Sequence, residues 1–337
     1  MRTETEAETT TEPSLPYGVD EDGVTGELYS TCTQALRGDS FRTTYAKLDV
    51  NTAVRRWNKR FAVEGSIALG QWTRDEGGPV EMYRDRTESL WRERLGDRYT
   101  YGKDAGSFDM NEVVWKKEVY PLLSGVNWSA PVRVNDARPA VWETTAGDVE
   151  GRPAAPGYVS GELRSVDSGK LRVDEDGVVR SLDVTYEAFD EIQEQTETLR
   201  YRQRITARGD VSVEEPSWLS TARERRPRVN ATLTDDRQFV RVEVTGGGGI
   251  ATDSRLSVFD ETRADTKFIA HTREPVEVGD VVYLYRMEDR SGFQQGRLAH
   301  GSAPSDVTPP ALDGEYYLAG FRKDSNYFSD VDVSTPD

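Results

Sequence analysis

The sequence predicts an α+β domain followed by an all-β one. The first is a curved antiparallel sheet, a half-barrel, covered by helices. The second is a β-sandwich of immunoglobulin-like architecture. Three observations carry this expectation. Between residues 158 and 213, runs of apolar–polar alternation are separated by turn residues, as for strands with one buried face. Two helical patterns earlier in the chain would supply the covering layer. After residue 228, short β-rich runs punctuated by Gly, Asp and Pro fill the rest of the chain.

Taken in order, the chain opens with MRTETEAETTTE, in which only Met1 could anchor a core. Such a stretch cannot offset its ordering entropy, so residues 1–14 read as a disordered Thr/Glu-rich tether or a frayed terminus. A first domain is expected over 15–222, a linker over 223–228 (RERRPR) and the β-domain over 229–337. Thr25 is placed to cap a helix whose Leu28, Cys32, Ala35 and Leu36 share one face, with Gly38 as the stop. Cys32 then reads as a small buried hydrophobe rather than a reactive thiol. Strand patterns follow at Phe41–Tyr45, Phe61–Ile67, Val80–Tyr83, Leu90–Trp91 and Tyr99–Tyr101, an antiparallel meander. Asp109 to Leu122 reads as a second helix, distorted by Pro121. Asp176-Gly177 and Arg208-Gly209-Asp210 mark turns between the strands of the clearest β region.

Charge narrows the function. The chain has 337 residues and a formal net charge of −17, and only 8 of its 43 basic residues are Lys. An acidic, Lys-poor composition suits a molar-salt environment, where self-repulsion is screened, so the source is expected to be haloarchaeal. Nucleic acid is excluded because no basic stripe is present. No run approaches the ~20 apolar residues of a membrane span, so no transmembrane segment is expected. No signal peptide is read, and the tether favours an exported protein whose leader has been removed over a cytosolic one.

Several segments resemble haloarchaeal surface lipoproteins of unknown function. They are LPYGVDEDGVTGEL with the following helix and Ser40-Phe41, VEMYRDRTESLWRERLGDRYTYG, VDEDGVVRSLDVTYE, TETLRYRQRI, and GDVSVEEPSWLS with its closing Pro-Ser-Trp. The resemblance covers roughly 15–222 and implies a fold similar to the lipoprotein carrier LolA and the mycobacterial LppX-type lipoproteins. In that fold a hollow between sheet and helices holds acyl chains. Family members carry a lipobox cysteine just before the tether; this sequence has Met1 there and no lipobox.

The candidate ligand cavity is lined by Trp57, Phe61, Trp72, Met82, Leu90, Trp91, Tyr186 and Tyr201, all on expected strands. The same residues would equally make a solid core. Two DEDG segments, Asp20–Gly23 and Asp174–Gly177, read as acidic turns because they lack the ligand spacing of a calcium loop. His271 and His300 have no Cys near them, so no zinc site is expected. They have no nucleophile-elbow partner either, and Gly246–Gly249 lacks the Lys and helix of a phosphate loop. The expectation is therefore no enzyme, no cofactor and no metal. Asn127-Trp128-Ser129 and Asn230-Ala231-Thr232 fit the glycosylation pattern, so Asn127 and Asn230 are candidate acceptors. The expected function is that of an extracytoplasmic, cell-surface-tethered protein binding a lipid or other hydrophobic ligand. The alternative is a structural or adhesive envelope protein with a solid core, its partner another envelope protein.

Overall fold

The computed structural model describes residues 14–53, 55–74, 78–103, 108–114, 116–135, 138–157, 161–261, 265–287, 295–322 and 325–335. The expected tether up to residue 13, and Tyr158, lie outside them. In chain order the elements start with β1 (Val19–Asp20), β2 (Gly23–Val24), helix α1 (Glu27–Leu36), β3 (Ser40–Asp49) and β4 (Arg55–Glu64). Next come β5 (Ile67–Arg74), β6 (Val80–Arg84), β7 (Ser89–Leu95) and β8 (Arg98–Lys103). Helices α2 (Met110–Val113) and α3 (Lys116–Ser124) lead to β9 (Val126–Trp128), β10 (Val132–Arg133) and β11 (Val141–Val149). The long strands are β12 (Gly161–Asp174), β13 (Val179–Asp190) and β14 (Gln195–Arg208), followed by α4 (Leu219–Arg225). The chain ends with β15 (Arg228–Leu233), β16 (Val240–Gly246), β17 (Arg255–Asp260), β18 (Asp265–His271), β19 (Val281–Arg286), β20 (Gly296–His300), β21 (Tyr316–Arg322) and β22 (Ser325–Ser334).

Compactness divides the chain into two units. One comprises residues 1–65 and 109–212, the other 66–108 and 213–337. The first unit holds an antiparallel sheet in the order β10-β11-β12-β13-β14-β3-β4, with β9 also paired to β11. One side of it is apolar: Phe41, Tyr45, Phe61, Leu182, Val184, Tyr186, Leu199 and Tyr201 are all buried. α1 and α3 belong to this unit and bury Leu28, Leu36, Val119 and Leu122, and the Tyr45 hydroxyl donates to the Val113 carbonyl at the end of α2. Cys32 is buried as expected, and desolvation pushes its thiol up to about 12. Thr25 does not cap α1: Gly26 occupies the N-cap, and the Thr25 hydroxyl bonds Glu27 instead. The β12–β13 turn is built by Asp174, whose Oδ1 accepts from the N–H groups of Asp176 and Val178, and Gly177 supplies the left-handed φ of +81°.

The helix-covered α+β half-barrel is not what forms. Strands take 54% of the described residues and helices about 10%, so the described protein is mostly β. No helix among the described residues exceeds ten residues, about 15 Å of axis, against a seven-stranded sheet roughly 29 Å across. The expected helix over 109–122 is two short pieces. Asp109 caps α2 by accepting from Asn111 N–H, α2 ends at Val113 with Val114 as its C-cap, and α3 carries Pro121 inside it.

The second unit has its own meander, β5-β6-β7-β8; β6, β7 and β8 follow the order read from the sequence, whereas the single run expected over Phe61–Ile67 is broken after Glu64 into β4 and β5. Trp218, Leu219 and Ala222, on and just before α4, pack with Tyr83, Leu90 and Tyr101 of that meander. The region after residue 228 is not an immunoglobulin-like sandwich. It is one continuous eight-stranded sheet, β18-β17-β21-β22-β15-β16-β19-β20, with β15 parallel to β22. Its two ends meet: Ile269 of β18 bridges Gln295, the residue before β20. The sheet thus curls into a nearly closed barrel. Alternation along a strand is the same in a barrel and in a sandwich, because both bury one face.

Candidate functional site

The eight residues expected to line a cavity are divided between the two units. Trp57, Phe61, Tyr186 and Tyr201 belong to the first unit; Trp72, Met82, Leu90 and Trp91 belong to the second. Those of the first unit are packed against one another and their neighbours. Trp57 meets Tyr201 edge-on at 6.1 Å, and Phe61 meets Tyr45 at 6.2 Å. In the second unit Trp91 lies 5.5 Å from Tyr327, and Leu90 sits in the cluster under α4. Leu90, Trp91, Tyr186 and Tyr201 have no exposed surface.

The core side of the first sheet is also more polar than an acyl chain would favour. The side-chain amide of Gln203 and the hydroxyl of Tyr201 are buried with no hydrogen-bond partner among the described residues. Burial, with Tyr45 and Glu118 adding to it, raises the Tyr201 hydroxyl well above the usual phenol range. Lys47 and Glu118 form an ion pair of 3.4 Å there, and Lys47 Nζ donates to the Pro156 carbonyl at 2.9 Å.

The opposite side of the same sheet carries a groove of about 640 Å³. Alternation decides its lining: Thr44 and Ala46 of β3, Asp183 of β13, and Arg202 and Arg204 of β14 all occupy the positions between buried neighbours. Glu143 of β11 and Lys170 and Arg172 of β12 close one flank. Lining charge comes from four bases, Lys170, Arg172, Arg202 and Arg204, against two acids, Glu143 and Asp183. This is a net positive surface on a chain of net charge −17.

The two acids are each shared between bases. Glu143 holds Lys170 at 3.1 Å and Arg172 at 2.8 Å. Those hydrogen bonds, Arg172's first, pull its carboxyl below the ordinary value. Asp183 accepts both arms of Arg200 at 2.8 Å and Arg202 Nε at 3.2 Å. Its partial burial would raise its carboxyl, but the Arg200 hydrogen bond and the charges of Arg200 and Arg202 outweigh burial and lower it. The groove can hold a polar guest by hydrogen bonds and charge. The sequence reading missed these arginines; their signal is Arg at every second position of β14 (Arg200, Arg202, Arg204).

The remaining candidates have structural duties. Asp20 Oδ1 accepts from Asp22 and Gly23 N–H, and Asp174 is buried against Arg180 and Arg208, so both DEDG segments are turns. No group of three metal-ligating side chains occurs among the described residues. His271 and His300 are exposed, His300 Nε2 lying 3.4 Å from Glu274. Gly246–Gly249 lies against the end of α4: a Cβ on Gly247 would stand 1.8 Å from the Arg226 carbonyl, and Gly248 N–H donates to Arg225 O. Asn127 on β9 and Asn230 on β15 are both exposed. No helix of the described residues is long and apolar enough to cross a membrane.

No family model matches the chain, and no curated protein does. Among solved structures the chain is similar to the complex of Pseudomonas aeruginosa MucA and MucB, at 13% identity over 81% of this chain and 90% of that one, with a TM-score of 0.27. It is likewise similar to MucB in complex with MucA(peri), at 13% identity over 82% and 92%, with a TM-score of 0.25. Similarity at that level carries no argument about fold or function.

Proposed function

We propose that the protein is an extracytoplasmic binding protein that performs no chemistry, and that its ligand seat is the polar groove of the first unit. The source we propose is haloarchaeal, supported by the acidic, Lys-poor composition. One observation carries the choice of seat: a 640 Å³ groove, of the size that holds a small molecule, lined by paired and unpaired charges on the open side of a sheet. The lipid reading is disfavoured. The residues that would wall an apolar hollow are packed, and their side of the sheet holds a buried ion pair and an unpaired amide. The structural envelope role keeps one argument, the burial of the core side chains of both units, and predicts no small ligand at all.

Native mass spectrometry of protein purified from a haloarchaeal host, combined with organic extraction, separates these readings. A stoichiometric polar molecule, released when Ala46→Trp fills the groove, is the expected result. A stoichiometric lipid would overturn the choice of seat. A protein that carries nothing and takes up no added polar compound would leave the structural role.

A further inference from the structure

We infer that Arg204, which lines the groove, and Arg42 and Arg60, which strand register sets beside it just outside the lining, build an oxyanion seat at the groove's edge, and that the ligand is a small organic molecule bearing at least two carboxylate, phosphate or sulfate groups. The inference rests on the reading of the groove as the ligand seat.

Strand register puts the three arginines together. Arg204 of β14 is opposite Thr44 of β3, and Thr44 is opposite Arg60 of β4. Arg204 and Arg60 therefore share one cross-strand row and one face, about 10 Å apart across two strand spacings. Arg42 sits two residues along β3 from Thr44, on the same face and about 7 Å away. All three are exposed. Among the described residues none of the three has a carboxylate partner. Their neighbours differ: Lys170 and Arg172 share Glu143, while Arg200 and Arg202 share Asp183.

Three uncompensated guanidinium groups side by side repel one another, and they do so on a chain with 60 acidic residues available to neutralise them. A guanidinium presents a planar fork of donors that matches an oxyanion in bidentate fashion. Three forks within ~10 Å match a ligand with more than one oxyanion. Size favours a small molecule over a polymer, since the groove holds about 640 Å³. No aromatic platform faces it: the one lining aromatic, Tyr45, sends its hydroxyl to Val113 on the core side. That argues against a stacked base, which needs such a platform.

The test is calorimetric titration of the full chain, at fixed ionic strength, with citrate, inorganic tripolyphosphate and inorganic sulfate, and with glucose as a neutral control. Citrate or tripolyphosphate is expected to bind one to one and sulfate more weakly. Arg42→Gln/Arg60→Gln/Arg204→Gln, all surface changes checked by circular dichroism, is expected to weaken binding about tenfold or more. Citrate against tripolyphosphate tells a polycarboxylate site from a phosphate site. Failure of every anion, or equal affinity in the triple variant, overturns the oxyanion seat. Ala46→Trp keeps the two readings apart. If it blocks binding while the triple variant does not, the groove stands and the arginine seat falls. If neither variant changes binding, both fall.

Discussion

Removing the acidic half of the ion pair inside the first unit should cost far more than removing both halves. Lys47 and Glu118 expose only 8% and 5% of their side chains, and Lys47 Nζ has the Glu118 carboxylate and the Pro156 carbonyl as neighbours. Gly157 closes over the pair, since a Cβ there would stand 2.0 Å from Glu118 Oε1. Glu118→Leu takes the carboxylate away from beside a buried ammonium, a change worth about 3–5 kcal/mol. In a domain of this size each kcal/mol moves the melting point by ~2–4 °C, so the variant should melt roughly 6–20 °C lower. Lys47→Met should lose a similar amount, by stranding the carboxylate. The double variant replaces the pair by two apolar side chains of like volume and should return to within ~1–2 kcal/mol of the parent. Urea unfolding in molar salt, followed by circular dichroism, gives the three differences and their coupling. Because the pair is buried, the coupling should hardly change between 1 M and 3 M salt, two concentrations we would compare. Additive losses in the double variant, or a single variant within ~1 kcal/mol of the parent, would refute the reasoning.

Two further outcomes test the core and the groove. Trp91→Ala removes a fully buried ring that packs on Tyr327 and should destabilise the second unit by about 3–5 kcal/mol in denaturant melts; an unchanged midpoint would mean the ring carries no packing energy. Asp183 has its carboxyl lowered in the folded state, so its stabilisation is complete above the unfolded value of about 3.9 and is lost as pH falls through the folded one. Asp174, raised by burial, contributes with the opposite sign, so the comparison must be made residue by residue. Between pH 6 and pH 3, Asp183→Asn should therefore lose less stability than the parent; an identical loss would show that Asp183 does not contribute to the acid dependence.

Local patterns were readable, and long-range ones were not. The alternation of Leu182, Val184 and Tyr186, and of Leu199, Tyr201 and Gln203, marks β13 and β14, with the Asp176-Gly177 turn before them. Cys32 falls on the buried face of α1 because its spacing from Leu28 and Leu36 is helical. The helix over 109–122 fails because its apolar positions Met110, Val113, Val114 and Leu122 fit one face without needing one unbroken helix. The sandwich fails because closure of a sheet depends on which strands end up side by side; β15 lies beside β22, at the far end of the same stretch of chain. The arginine face was legible as a polar face. It was not legible as a groove, since β14 pairs with β3 across some 150 residues of sequence. Alternation names the face but not the neighbours, and neighbours make the site.

The division of the chain into interleaved stretches bears on how the protein can be made. Synthesis delivers the β5–β8 meander early, but the side chains that cover Tyr83, Leu90 and Tyr101 are Trp218, Leu219 and Ala222, more than a hundred residues later. Until the ribosome has passed that point, an aromatic surface stays uncovered, and contacts closed over so long a loop form slowly. A fragment cut near residue 212 would keep the meander and lose its cover. Neither unit can therefore be produced by simple truncation, and in the cell the nascent chain has a long interval in which a chaperone would guard it from aggregation.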